Sequence, residues 1–138
     1  MSPDDMKALM KCFYGMWEGK SSVRPEDICA ATYLDHMPHP GPQGLEGVTG
    51  AVQMMRAAFP DSTSTPGLLL VDGDKVVGTN TFRGTHTGQL MNIAPTGRKA
   101  EMATIDICRI EGGKIAEIWH VEDMFALMIQ LGVVPPPG

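Results

Sequence analysis

The stretch from Thr104 to Leu131 constrains this chain most. Two runs rich in β-branched residues, Thr104–Ile110 and Lys114–Val121, flank Glu111-Gly112-Gly113. A Gly pair between such runs predicts a hairpin, because tight hairpin turns need the positive φ that Gly adopts without steric cost. A two-residue turn at Gly112-Gly113 pairs Ile110 with Ile115, Cys108 with Glu117, Asp106 with Trp119, Thr104 with Val121 and Met102 with Asp123. Strict alternation then puts Asp106, Glu117, Trp119, Val121 and Asp123 on one face, and Ile105, Ile107, Ile118 and His120 on the other. A hairpin apolar on both faces must be covered on both, by helices or by a second subunit. Carboxylates on an apolar face are costly unless they are paired or used.

Beyond the hairpin the period changes. Phe125, Met128 and Ile129 follow helical spacing, with Asp123 as N-cap and Gly132 then Pro135 as the stop. Upstream, Ser2-Pro3-Asp4-Asp5 opens a helix whose apolar stripe is Met6, Leu9, Met10, Phe13 and Trp17; it ends at Gly19. Tyr14 and Trp17 read as core. A second helix is expected from Arg24-Pro25 to about Thr32. A loop with Pro38, Pro40 and Pro42 follows, and then a third helix over Gly47–Phe59, ended by Pro60. From Asp61 the period becomes two. Strands are expected over Ser62–Val71, Lys75–Thr87 and Arg98–Ile110, the first at an edge because of Pro66. Helices followed by strands argue for one α+β domain over residues 1–138, in which a strongly curved antiparallel sheet wraps the N-terminal helices and a short helix closes the chain.

Composition narrows the function. A net charge of −5 argues against a nucleic-acid partner. No apolar run of about 18 residues predicts a membrane span. The N-terminus has no signal-peptide pattern, and the three cysteines, Cys12, Cys29 and Cys108, form no CxxC; a cytoplasmic location is expected. His36 and His39 sit in a Pro-rich loop without a third ligand nearby, so no metal is expected. There is no P-loop, no dinucleotide fingerprint and no GxSxG; Cys108 has no evident base.

Taken in order, Tyr33-Leu34-Asp35-His36, Gly44-Leu45-Glu46-Gly47, Arg83-Gly84-Thr85-His86-Thr87-Gly88, Pro95-Thr96-Gly97, Asp106-Ile107-Cys108-Arg109, Gly113 to Trp119, Asp123 and Gln130-Leu131-Gly132 resemble the SnoaL-like polyketide cyclases of the NTF2-like superfamily. The resemblance runs from about Asp5 to Gly132. It implies a cone-shaped α+β fold, a homodimer formed through the outer sheet face, and intramolecular aldol closure of a polyketide ring without metal or organic cofactor. It places the acid/base carboxylate of the Trp-x-x-x-Asp motif at Asp123, and histidines of the family at His36 and His86.

These lines combine into one expectation: a cofactor-independent enzyme of the cyclase or isomerase type, of the kind called ester cyclases, acting on an apolar, carbonyl-bearing small molecule. Asp123 removes a proton α to a carbonyl, and Asp106 shares a proton or orients the substrate. His36, His86 or Arg83 stabilises the enolate, and Trp119, Tyr33, Phe82 and Met102 shape the pocket. His120 is read as an outer-face or dimer residue. Two alternatives stand beside this reading: a hydrolase in which Asp123 activates water, and a binding protein that does no chemistry.

Overall fold

The structure, a computed structural model, describes residues 1–37 and 39–138. Pro38, in the expected Pro-rich loop, lies outside the described residues. The elements run α1 (Pro3–Met16), α2 (Pro25–Ile28), β1 (Cys29–Asp35), α3 (Gly44–Ala58), β2 (Thr63–Asp72), β3 (Lys75–Thr85), β4 (Lys99–Glu111), β5 (Lys114–Glu122) and α4 (Met124–Gln130). The strands form one curved sheet in the order β1-β5-β4-β3-β2. The α+β architecture is the one expected, with two differences in the sheet.

The first difference is β1. The second helix stops at Ile28, and residues 29–35 pair parallel with β5, so the sheet is mixed and has five strands where four antiparallel ones were expected. The buried residues of β1 are Cys29 and Tyr33. A spacing of four fits a helix and a strand equally, so periodicity could not separate them. Pairing with the open edge of β5 settles the choice, because it satisfies backbone groups that would otherwise stay unpaired.

The second difference decides which residues face inward. The hairpin turn is at Gly112-Gly113, both at positive φ, and Ile110 pairs with Ile115 as expected. The next pair is Arg109 with Glu117, so Ala116 is an extra residue in β5. This bulge reverses the alternation beyond it. Asp106 therefore pairs with His120, not Trp119, and Thr104 pairs with Glu122. His120 turns to the concave side, while Glu117, Trp119 and Val121 turn to the outer face with Ile105 and Ile107.

Local chemistry fixes the helices against this sheet. Ser2 and Asp5 form a capping box at α1. Met10, Phe13 and Met16 of α1 are buried with Ile115, Ile118 and Cys108 of the sheet. A second apolar cluster joins Met55 and Phe59 to Phe82, Met102, Leu127 and Leu131. Gly88 passes the end of α3 so closely that a Cβ would lie 1.9 Å from the Ala57 carbonyl oxygen. The Thr87 and Gly88 N–H groups both donate to the Ala58 carbonyl at 3.1 Å. Pro66 lies in β2, an edge strand, as its missing N–H requires. Among the described residues no helix is long and apolar enough to cross a membrane.

Candidate active site

A cavity of about 590 Å³ opens between the concave sheet face and helices α1, α3 and α4. Most of its wall is apolar, with Phe13, Trp17, Tyr33, Phe82, Met54, Met55 and Met102 among the lining residues. Strand register writes a polar band across that wall. One cross-strand row is Asn80, Thr104 and Glu122; the next is Gly78, Asp106 and His120. Asp35, at the end of β1, completes the band by reaching His120. The flanking rows are apolar, with Phe82 and Met102 on one side and Val76, Cys108 and Ile118 on the other.

Asp106 is the buried centre of the band, 4% exposed. Its Oδ2 accepts the Tyr14 hydroxyl at 2.9 Å and the Thr104 hydroxyl at 2.9 Å. Tyr14 reaches it because Gly78 has no side chain; a Cβ there would lie 2.6 Å from the Tyr14 oxygen. Burial raises the Asp106 pKa to about 6, against the lowering effect of those two hydrogen bonds. Burial, and then the Asp106 charge, push the Tyr14 hydroxyl far above its ordinary pKa, so it stays protonated and donates.

His120 stands between two carboxylates. Its Nε2 donates to Asp35 Oδ2 at 2.8 Å, and its Nδ1 bonds Glu122 Oε1. Burial alone would lower its pKa, but the hydrogen bonds and charges of Glu122 and Asp35 outweigh that and raise it to about 9. The ring is thus an imidazolium at neutral pH. Among the described residues, Asp106, His120 and Glu122 are the His and carboxylate groups whose ligand atoms gather within 4.8 Å. That trio offers a metal oxygen and nitrogen donors only if the ring gives up a proton, since both nitrogens are engaged with carboxylates.

The structure sorts the sequence-predicted site residues. Asp106, Tyr33, Phe82 and Met102 line the cavity. Asp123 does not: it is exposed at the start of α4, where its carboxylate accepts the Ala126 N–H at 3.1 Å. His36 and Trp119 do come together, stacked at 4.4 Å, but on the outer sheet face, with His36 Nε2 bonded to Glu117 at 2.5 Å. The Ala116 bulge explains this correction for Trp119. Arg83 also points outward and pairs with Glu101 at 2.8 Å, not with Asp106 or Glu117. His86 is fully buried away from the cavity wall; its Nδ1 meets the Thr96 hydroxyl at 2.9 Å and its ring packs on Phe59. It holds the loop of residues 86–97 in place, with its backbone bonded to Gly97 and Arg98.

Six polar groups of this site are not assigned to it by the sequence: Asn80, Thr104, Glu122, His120 and Asp35 in the band, and Tyr14, which bonds it from α1. His120 and Glu122 follow from the bulge, whose only trace is a small Ala116 beside Ile115. Asp35 belongs to the unrecognised strand β1. Tyr14 was correctly placed in the core, but its hydroxyl needed Gly78 opposite to reach Asp106.

The chain matches the description SnoaL-like polyketide cyclase over residues 7–131. Among curated proteins, none matches it significantly. A solved structure from Bacillus cereus ATCC 10987, named as a candidate polyketide cyclase, is 35% identical, with 94% of this chain and 82% of that one covered and a TM-score of 0.78. IdmH from Streptomyces antibioticus, also named as a candidate polyketide cyclase, is 29% identical over 96% of this chain and 100% of its own, with a TM-score of 0.76. A protein from Catenulispora acidiphila DSM 44928 is 18% identical, covers 91% of this chain and 93% of its own, and has a TM-score of 0.70. Its fold is described as ketosteroid isomerase-like, which places the present α+β cone in the NTF2-like class. Match and architecture agree, and the chain belongs to the SnoaL-like polyketide cyclase family.

Proposed function

We propose that this protein closes a ring in a carbonyl-bearing small molecule by aldol-type acid/base catalysis, with Asp106 as the base. The observation that carries the proposal is a carboxylate 4% exposed in the wall of an apolar cavity, with its pKa raised to about 6. At neutral pH such a group is still ionised, yet it is a stronger base than an ordinary aspartate. Tyr14 and Thr104 hold one carboxylate oxygen, and the other has no partner among the described residues.

In this scheme Asp106 takes a proton α to one carbonyl. The enolate carbon then attacks a second carbonyl of the same molecule, forming the ring bond. The resulting alkoxide recovers the proton from Asp106, so no net proton is consumed. Tyr33 supplies the donor for the enolate oxygen. It lines the cavity, it has no hydrogen-bond partner among the described residues, and burial raises its pKa so far that it remains protonated. The His120 imidazolium adds a positive charge beside the site. The hydrolytic alternative relied on Asp123, which lies outside the cavity wall.

The test is deuterium uptake at the α-carbon of 1-tetralone, an apolar aryl ketone, in deuterated buffer, with binding verified by chemical-shift changes. Exchange should rise with pH through an inflection near 6, the Asp106 value. Bound tetralone that exchanges no faster than in buffer would overturn the reading.

The outer sheet face supports a homodimer as part of the same proposal. Ile105 and Val121 are 58% and 62% exposed there. Arg109 and Glu117 on the same face offer both signs of charge, which suits a two-fold self-contact. Sedimentation should give twice the 14.9 kDa chain mass. A monomer at micromolar concentration would remove the dimer from the proposal.

A further inference from the structure

We infer that the ligand of this cavity carries a protonated amine, received by the free oxygens of Glu122 and Asn80, with the Asp106 carboxylate beside them left open for the α proton. The inference rests on the reading of this cavity as the reaction site, and it narrows the substrate to an amine-bearing carbonyl compound.

Hydrogen-bond accounting comes first. The Ser64 hydroxyl donates to the Tyr14 carbonyl at 3.0 Å, so the Ser64 oxygen must accept from the Asn80 amide NH₂, at 3.3 Å. That fixes the Asn80 amide and leaves its carbonyl oxygen as an acceptor. Asn80 is only 7% exposed, and its Oδ1 is buried with no partner. An orphaned acceptor of this kind is destabilising unless something bonds it. Asp106 leaves Oδ1 free, because both hydroxyls use Oδ2. Glu122 leaves Oε2 free, because His120 uses Oε1. The three free acceptors lie on adjacent rows of the sheet. A ligand group that satisfies Asn80 and Glu122 must be rich in donors, while Asp106 Oδ1 stays open for the α proton.

Charge then selects among donors. The described lining residues include four carboxylates, Asp35, Glu46, Asp106 and Glu122, against two histidines and no Lys or Arg. The single charge of His120 is shared by Asp35 and Glu122, so Asp106 has no counter-charge of its own. Burial, and then the Glu122 charge, raise its pKa, and the His120 charge only partly offsets them. A ligand carboxylate would be repelled. A neutral hydroxyl would satisfy the acceptors but leave the charge. An ammonium does both, and Phe13, Trp17, Tyr33 and Phe82 give it aromatic surface.

Three probes that share one ring test this on the full chain at neutral pH: 1-naphthylmethylamine, 1-naphthalenemethanol and 1-naphthoate, compared by calorimetry. The amine should bind at least about 10-fold tighter than the alcohol, a difference of about 1.4 kcal/mol, and the naphthoate should not bind measurably. Glu122→Gln should cut the amine preference by about threefold or more with little change in the alcohol. Asp106→Asn, which removes the neighbouring charge, should do the same if the first variant folds poorly. Alcohol binding as tight as the amine would overturn the inference, as would a naphthoate that binds best or a preference that both variants leave untouched. Failure here with tetralone exchange intact leaves Asp106 standing as the base. The reverse result keeps the cation site and removes the aldol chemistry.

Discussion

Asp106→Asn should slow deuterium uptake into 1-tetralone by about 100-fold or more, since a positioned acid/base group contributes about 10²–10⁴-fold. The amide has nearly the shape of the carboxylate, and its oxygen can still accept the Tyr14 and Thr104 hydroxyls. Cavity shape should therefore persist, and tetralone should bind with much the same affinity. The loss should appear in turnover and not in binding, which marks an interaction made only in the transition state. Asp123→Asn is the paired control. Asp123 caps α4, and Asn is an equally good cap, so this variant should keep both its melting temperature and its rate. If Asp123→Asn is the slow variant and Asp106→Asn the active one, the Trp-x-x-x-Asp carboxylate is the base after all.

His120→Gln should lower stability at neutral pH and remove a pH-dependent step. In the fold His120 titrates at about 9, above its ordinary value of 6.5. A raised folded pKa means that its stabilising contribution is complete below pH 6.5 and is lost as pH rises through 9. The ring is well shielded, with 18% of the side chain exposed. The contribution amounts to roughly 3 kcal/mol, or a melting-temperature change of roughly 10 °C for a domain of this size. Glutamine keeps a donor but not the charge, so Asp35 and Glu122 are left as neighbouring anions. Asp106 acts in the same direction at lower pH: its raised pKa favours the fold below 3.8, and that advantage fades as pH rises through 6. The parent protein should thus lose thermal stability in two windows on the way to alkaline pH. The variant should keep the acidic one and be nearly flat across the other. Melting curves of parent and variant that run parallel from pH 6.5 upward would show that His120 is not held as an imidazolium.

Much of the fold was legible because period and punctuation agree. Ser2 with Asp5, Pro25, Pro60 and Asp123 mark helix ends, and four strands follow from alternation and their turns. What failed were two features that periodicity cannot carry. β1 buries Cys29 and Tyr33 at a spacing that helices share, so only pairing with β5 identifies it. The bulge at Ala116 depends on how one residue fits between Ile115 and Glu117, not on any residue type. Its effect on the site was large. Even-numbered positions of β4 were placed on the right face, which is why Asp106 and Met102 fall in the cavity wall. In β5 strict alternation exchanges the faces beyond the bulge, placing Trp119 inward and His120 outward, the reverse of the observed register. His86 and Arg83 failed for another reason. One is a buried loop anchor and the other an outward strand residue with its own partner, roles that a motif alone does not distinguish from ligand contacts.

The bulge also bears on how such a domain changes over time. Beyond Ala116, every side chain of β5 owes its face to one surplus residue. Point substitutions can alter the chemistry of the concave wall one group at a time. Loss or gain of a single codon at that place would exchange whole sets at once, trading His120 and Glu122 for Trp119 and Val121. Ancestry in this region is therefore recorded in strand length as much as in residue identity. Two relatives that align without gaps across β5 can be compared position by position; two that need one gap there present opposite sides of the strand to their ligands.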